Sequence, residues 1–598
     1  MSIRGGFMTR MQSKQEDFSL SAISRQSLEF IWMYLKRHLG RMGLALLATL
    51  AGAAISLTLP YLVKLIVDDA IANQDMTGLT LLALIYLALV GLQWFAFYWQ
   101  GYLSSWVGQH IVDSMRQDLF AKITDQSLGF HEKQQVGQIT ARITHDINAI
   151  ASFISDGAVN LLADVVVVLG IIMIMAVINV RLTLITLISL PVALLSIRVL
   201  GNKMRTAYWE MQQALADVNT GIEQGIAGMR VVKSLARESF TMEKFEQLSM
   251  QNMKANLKTS LLFAAVFPTM TITNMLGIAL VLGYGGTLIT EGQMTVGVLM
   301  AFLAYVYRLF GPLRDLGLVY GTIQAAAASV DRVLEIMRQE TELPEPKSPI
   351  TPQKGFRGEI QVEDISFSYD DDPVLNEISF QVAAGQSIAI VGPTGAGKST
   401  LAKLLTRLYD VDQGAVRIDG IDVRDIPINK LRQLITIVPQ DVFLFADTIF
   451  ENIRYGNPQA DAAAVEFAAK QAQAHSFINQ LPNGYYTQVG ELGVKLSGGQ
   501  KQLIAFARTL LADPKILILD EATANVDPIT ESLIQKAMST IAHNRTTLII
   551  AHRFSTLSQV SKTLVLDKGK LVGYDTHEKL IAENDVYRKL YQQHINYS

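Results

Sequence analysis

From residue 41 to residue 320 the chain repeats one pattern six times: a long apolar run, then a polar break. The runs fall near 41–66, 79–103, 158–179, 181–201, 260–287 and 294–320. Each is long enough for a helix that crosses a bilayer, which takes about 20 residues. Little more than Asn179, Val180 and Arg181 joins the third to the fourth, which predicts a tight hairpin. The second and fourth runs lead into polar helical stretches, 104–157 and 202–259. These carry many basic residues: Arg116, Lys122, Lys133 and Arg142, then Lys203, Arg205, Arg230, Lys233 and Arg237. The connections on the other side, 67–78 and 287–293, hold no Lys or Arg. Basic residues stay on the cytoplasmic side, so the long loops and both termini are expected there, in a bacterial inner membrane.

The first residues, 1–40, are polar and mixed and lack the apolar core of a signal peptide. Within them, SLEFIWMYLKRHL at 27–39 is apolar on one side and basic at its end. That pattern favours an elbow helix lying in the membrane interface over an ordinary surface helix. A six-helix all-α transmembrane domain is therefore expected over 41–338. The Pro- and charge-rich stretch 339–358 reads as a linker. Beyond it, over 359–598, short β-branched runs alternate with helical patterns: SIAIVG, LITIVPQ, KILILDE, TTLIIAHR and TLVLDKGKLV. Apolar strands of this kind predict an α/β domain whose parallel sheet is covered on both faces.

Composition narrows the chemistry. The 598 residues contain no cysteine, which removes disulfides, thiolate metal sites and a cysteine nucleophile. A net charge of −3 with no basic face argues against a nucleic-acid partner.

The α/β part carries a nucleotide motif. Gly392, Pro393, Thr394, Gly395, Ala396, Gly397, Lys398, Ser399 and Thr400 match G-x-x-x-x-G-K-S/T between the strand SIAIVG and a helix. Glycines let backbone N–H groups converge on phosphate, Lys398 adds charge at the β- and γ-phosphates, and the Ser399 hydroxyl suits Mg2+. Polar residues end several strands, where open parallel sheets bind ligands. Asp520 is placed to hold the Mg2+ shell, and Glu521 to orient or deprotonate the attacking water. His552 is in position for the γ-phosphate, Gln440 for metal and water, and Tyr369 for stacking on adenine. A second anion-binding device, LSGGQ, stands at 496–500 ahead of another helical pattern.

Tyr369, GPTGAGKST, Gln440, LSGGQ, ILILDE and His552 stand in the order of the ATP-binding cassette. With six runs before them, the chain resembles the exporter branch of ABC transporters, in the half-transporter arrangement. The resemblance implies ATP and Mg2+ as cofactors and a second half-transporter as partner, in a homodimer or in a heterodimer with a degenerate half. Ser497, Gly498, Gly499 and Gln500 of one chain would then close on nucleotide held by the other. It also implies short helices near 116–130 and 214–228 that dock on the cassettes. Leu492 and Leu503 stand where the family often has arginine. ATANVD at 522–527 is similar to the catalytically competent half of heterodimeric exporters.

The family default substrate is a hydrophobic or amphipathic compound, a drug or a lipid. The alternative is an ATP-switched regulatory or channel-like membrane subunit; intact Gln440, Glu521 and His552 favour the pump. Asp164, inside the third run, is a candidate for a cationic substrate or a proton, or a partner of Arg198 or Arg308. The aromatics Trp94, Phe95, Phe97, Tyr98 and Trp99 suit adaptable apolar binding, but lipid-facing or packing positions are the favoured reading.

Overall fold

The computed structural model describes residues 25–341, 343–352, 355–370, 372–490, 496–520, 528–551 and 560–595. Two compact units emerge: one runs to Thr124 and resumes over Val136–Gln339, the other joins Asp125–Gln135 to the chain from Glu340 onward.

The first unit is helical, and apolar length sets its elements. Among the described residues five segments are long and apolar enough to cross a membrane: Arg25–Ile71, Met76–Thr124, Val136–Ile178, Val180–Ala227 and Glu238–Thr290. The sixth expected run appears as Val296–Pro312, an apolar stretch of 17 residues or fewer at the start of the helix Val296–Arg338. Much of this apolar surface is open, with Val177 82% and Phe267 71% exposed, as suits helices solvated by lipid tails. Trp94, Phe95, Tyr98 and Trp99 are likewise exposed. A tighter centre forms where Ile171, Met175, Leu182, Val281, Phe302, Tyr305 and Leu309 meet.

Polar contacts fix the helices to one another, within the apolar stretches and at their ends. The Tyr305 hydroxyl donates to the Leu57 carbonyl at 2.7 Å, and Asp68 accepts from the Thr295 hydroxyl at 2.6 Å and the Gly297 N–H at 2.9 Å. Asp146 accepts from Ser329 at 2.9 Å and is paired with Arg332. The helix Arg25–Leu35 is tied in by Ser27 to Asp331 (3.0 Å) and Tyr34 to Asp118 (3.0 Å), and leaves Leu28, Trp32 and Met33 exposed.

The two short loop helices sit elsewhere than expected. Met76–Thr124 is unbroken through 116–124, and the short helix is Leu128–Lys133. Its start is set by Ser127, whose hydroxyl caps the Phe130 N–H at 3.2 Å. Residues 214–227 continue the helix Ser189–Ala227, and the next short helix, Met229–Ser234, follows only after Gly228.

The second unit is α/β. Six strands form one sheet in the order β10-β9-β3-β8-β7-β6. They are β3 Ser387–Val391, β6 Ile435–Val438, β7 Ile516–Asp520, β8 Thr546–Ile550, β9 Lys562–Asp567 and β10 Lys570–Asp575. All neighbours pair in parallel except β9 and β10. That last pair departs from the parallel expectation because Lys568 (φ 47°) and Gly569 (φ 77°) form a left-handed two-residue turn, which folds TLVLDKGKLV into a hairpin. A second, antiparallel sheet contains β1 Ile360–Tyr369, β2 Asp372–Val382, β4 Gln413–Ile418 and β5 Ile421–Asp422.

Alternation along the strands packs both faces of the six-stranded sheet. Ile388, Ile390, Ile516, Ile518, Leu548 and Ile550 join the core shared with the antiparallel sheet. Leu517, Leu519 and Ile549 face the opposite cluster with Ile504, Phe506, Ile534 and Ile541. The stretch after Glu340 lies along this unit: Ile350 N–H donates to Asp425 O at 2.9 Å, and Arg407 to Pro344 O at 3.0 Å.

Candidate functional site

β3 ends at Val391, and the loop 392–397 turns directly into the helix Lys398–Leu405. Glycine is required at both ends of this loop. A Cβ on Gly392 would lie 2.3 Å from the Leu566 carbonyl oxygen of β9. One on Gly397, at φ +96°, would lie 2.5 Å from Leu375 Cδ2. Gly395 also has positive φ, at +82°, but faces open space. Thr394, Gly395 and Ser399 are exposed along the outer side of the loop, whereas Ala396 and Thr400 are buried beneath it.

Lys398 is 7% exposed and reaches back over the loop, donating to Gly392 O at 2.8 Å and Pro393 O at 3.0 Å. Burial pushes its ammonium below the usual lysine range, partly opposed by the charge of Asp520. Among the described residues no carboxylate forms an ion pair with it. A buried cation held only by carbonyls, at the mouth of a glycine loop, fits a phosphate group.

The strand order brings other expected residues to the same edge. β7 ends at Asp520, which is half-buried, and β6 leads two residues on to the exposed Gln440. With β8 between β7 and β3, the carboxyl ends of β6, β7, β8 and β3 are consecutive. Glu521 and His552 lie outside the described residues, as does Leu492. Leu503 is buried in the core, where a leucine packs without the cost of an arginine charge.

Tyr369 ends β1. Its ring stands edge-on to Phe367 (4.9 Å between centroids) and Tyr409 (5.4 Å), with the Lys403 ammonium 5.6 Å away. Lys403 in turn donates to Glu132 at 2.8 Å, and the Tyr409 hydroxyl donates to the same carboxylate at 2.7 Å. Lys133 pairs with Asp370 at 2.6 Å. The helix Leu128–Lys133 is thereby fastened beside the aromatic group at the end of β1. Burial alone would raise the Glu132 carboxyl. The hydrogen bonds from Lys403 and Tyr409 and the Lys403 charge outweigh that, leaving it below the usual range.

The LSGGQ segment opens the helix Gly498–Ala512. Ser497 and Gln500 cap one another: the Ser497 hydroxyl accepts from Gln500 N–H at 3.3 Å, and the Gln500 side chain accepts from Ser497 N–H at 3.0 Å. Ser497 and Gly498 are exposed, Gln500 is half-buried and Gly499 is buried. Among the described residues a Cβ on Gly498 would meet nothing within 4 Å, so packing against them does not call for glycine there.

Sequence reasoning missed Arg508 and Asn452. Arg508 donates to Asn452 O (2.8 Å), Asn452 Oδ1 (3.0 Å) and Phe443 O (3.3 Å), bracing the segment after Gln440 against the LSGGQ helix. Its only sequence signal is a lone arginine in the apolar IAFARTLLA. For Asp164 the structure removes one expectation. Neither Arg198 nor Arg308 pairs with it, and Arg308 donates to the carbonyl and hydroxyl of Ser56 at 2.6 Å each.

Comparison with known proteins agrees with this layout. Residues 42–313 match the ABC transporter transmembrane region, and 375–524 match the ABC transporter family model. An ATP-dependent lipid A-core flippase of Syntrophus aciditrophicus (strain SB) is 35% identical over 555 residues, spanning 93% of this chain and 92% of that protein. A putative multidrug export ATP-binding/permease protein, YgaD of Bacillus subtilis (strain 168), is 34% identical over 583 residues, 96% of this chain and all of that one (100%). The solved structure of a bacterial Atm1-family ABC exporter with ATP bound is similar at a TM-score of 0.78 and 31% identity, covering 92% of this chain and 98% of that one. Apolar membrane helices followed by a phosphate loop and an LSGGQ helix, alike along nearly the whole length of such relatives, leave one assignment: the chain belongs to the ABC transporter family, as an exporter-type half-transporter whose ATPase drives transport across a membrane.

Proposed function

We infer that two copies of this chain pair into a pump that moves hydrophobic or amphipathic compounds, drugs or lipids, out of the cytoplasm or inner leaflet. One observation carries the pairing. The LSGGQ helix presents an exposed Ser497 and a glycine at 498 that packing against the described residues does not require, which suits close approach by a ligand from outside. Each chain holds one phosphate loop and one LSGGQ, so two copies make two complete sites.

In each site Gly392, Thr394, Gly395, Ala396 and Gly397 wrap the phosphates with backbone N–H groups. Lys398 swings from its two carbonyls to the β- and γ-phosphates, and Tyr369 stacks on adenine. The partner's Ser497, Gly498, Gly499 and Gln500 close on the γ-phosphate. Ser399, Gln440 and Asp520 offer hard oxygen donors, which fit Mg2+, and Thr400 completes the nucleotide-binding set. The ion, when bound, screens charge on the phosphate oxygens. Glu521 orients and deprotonates the water, His552 steadies the γ-phosphate, and Gln440 aligns water with the attack.

ATP closes the cassettes and hydrolysis releases them, alternating access through the membrane part. That part is proposed as 41–338, with six spans counting the one from Val296. At 17 residues and 1.5 Å each, the apolar stretch Val296–Pro312 would reach about 26 Å, near the hydrocarbon thickness. The elbow over 1–40, the linker 339–358 and the cassette 359–598 complete the proposed division. The two long loops and both termini face the cytoplasm of a bacterial inner membrane.

The test is vanadate-sensitive ATPase of the chain, purified alone in lipid nanodiscs, beside Glu521→Gln. Activity in the first and at least a hundredfold less in the second, with ATP binding kept, supports the reading. An inactive but ATP-binding wild-type chain would rule out the self-sufficient pair. A fully active Glu521→Gln would rule out the assigned base.

A further inference from the structure

The helix Met76–Thr124 divides around its axis where it leaves the second apolar run. Ser104, Val107 and Ile111, spaced three and four residues apart, are buried. Phe95, Trp99, Tyr102, Trp106 and His110 follow the same spacing on the opposite face, where all but the half-buried Trp106 are exposed. At 1.5 Å per residue this stripe is about 22 Å long. Its apolar part is a row of touching rings. Phe95 stands edge-on to Trp99 (6.1 Å between centroids), and Trp99 edge-on to Tyr102 (5.8 Å).

Past the apolar run the stripe meets a positive cluster. The Arg41 guanidinium lies 3.3 Å from the centre of the Trp106 ring, and the His110 imidazole stacks on the same ring at 3.5 Å. His38, in the turn Lys36–His38 that leads into the helix Leu39–Leu65, stands edge-on to both rings at 5.6 and 5.9 Å. Arg37 leans over the Tyr34 ring at 5.6 Å, and Lys36 beside it is exposed. Among the described residues Lys36, Arg37 and Arg41 form no ion pair or hydrogen bond. The carboxylates further along Met76–Thr124 are engaged elsewhere: Asp113 accepts from Gln117 and Asp118 from the Tyr34 hydroxyl, each at 3.0 Å. Basic residues at the edge of a membrane helix are ordinary, and most simply project into water. Here stacking holds Arg37 and Arg41 in place and leaves their N–H donors unused. Holding them in advance lowers the entropy cost of binding an anion, and a planar guanidinium matches phosphate oxygens in pairs.

We propose that this face is a binding site for an anionic phospholipid, with its phosphate between Arg37 and Arg41 and its acyl chains along Phe95, Trp99 and Tyr102. The cations at one end need negative charge, and the ring row at the other needs apolar cover. Only a ligand with both, joined end to end, satisfies the whole stripe. Such a lipid is a bound partner and not cargo, so the proposal holds whatever the pump moves.

Native mass spectrometry of the full-length chain in detergent micelles tests it. The chain is titrated with phosphatidylglycerol, or with phosphatidylcholine of the same acyl chains. The expected result is phosphatidylglycerol binding about tenfold tighter than phosphatidylcholine. Arg37→Gln/Arg41→Gln should abolish that preference, and Arg37→Lys/Arg41→Lys should keep most of it. Retention in the lysine variant, with phosphatidylcholine binding unchanged in the glutamine variant, excludes misfolding as the cause. Equal binding of the two lipids by wild type, or an undiminished preference in the glutamine variant, would overturn the proposal. Glycerol phosphate, a head group without chains, is then added in excess. Phosphatidylglycerol that stays bound supports a lipid site, whereas its displacement would overturn the lipid assignment in favour of a soluble phosphate.

Discussion

Replacing Gly498 by alanine separates what the fold of one chain requires from what a paired site requires. Gly498 is the first residue of its helix, is exposed, and among the described residues would place a Cβ in open space. The single chain therefore loses no contact. Alanine is favoured over glycine inside a helix by up to about 1 kcal/mol, and by less in the first turn. The ATP-free unfolding midpoint should stay constant or rise slightly. The paired site has different requirements, because a methyl group would hold a partner's γ-phosphate away from the helix N-terminus. A hydrogen bond to a charged group contributes about 1.5–3 kcal/mol. Losing one predicts a fall in kcat/KM for ATP of roughly ten- to a hundredfold. ATP binding at the phosphate loop should change little, since Lys398 and Gly392–Gly397 are untouched. Thermal unfolding without nucleotide, beside vanadate-sensitive ATPase, reads both halves. A midpoint several degrees lower, or an unchanged kcat/KM, would refute the reasoning.

Glu132→Gln removes one charge from a partly exposed pair (side chains 43% and 27% exposed), so the loss should be only about 0.5–1 kcal/mol. Backbone hydrogen exchange in Leu128–Lys133 should quicken by about two- to fivefold, and unchanged protection would count against the contact. The same carboxyl lies below its ordinary value of 4.5. Its stabilisation is therefore complete above that value and is lost as pH falls through the lower folded-state pKa. Exchange of the segment should stay slow to more acid pH in wild type than in a Lys403→Met variant. Arg508→Ala takes a donor from the Asn452 and Phe443 carbonyls and one of two from the buried Asn452 Oδ1, which keeps the Phe445 N–H. It should cost about 2–4 kcal/mol, visible as a lower unfolding midpoint together with reduced ATPase.

The parts legible in the sequence share one property: they are written in consecutive residues. The phosphate loop needs positive φ and close backbone approach at fixed spacing, and Gly392, Gly395 and Gly397 carry that need openly. The buried strands announced themselves as β-branched runs, and apolar length announced the membrane helices. Where an element depends on a local stop signal, the reading slipped. Met76–Thr124 keeps its helix across the change from apolar to polar residues, because nothing before Asp125 interrupts it. The Ser127 cap was the available clue to the short helix that follows. The Arg508–Asn452 brace spans 56 residues of sequence and leaves no linear signature. Neither does Asp164's setting: charge alone suggested Arg308 as its partner, yet in the fold that arginine turns to Ser56.

The central claim, that each ATP is held between the phosphate loop of one chain and the LSGGQ of another, is tested most directly by mixing two defective chains. Lys398→Ala and Ser497→Arg variants, with different tags, are co-expressed, and the mixed pairs are isolated in nanodiscs. If sites form between chains, both lesions fall in one site and the other site is intact. Vanadate should then trap azido-ATP in the mixed pair, labelling only the Ser497→Arg chain, whose phosphate loop is whole, while neither variant alone traps any. Mixed pairs that trap no nucleotide, or label found on the Lys398→Ala chain, would contradict the account.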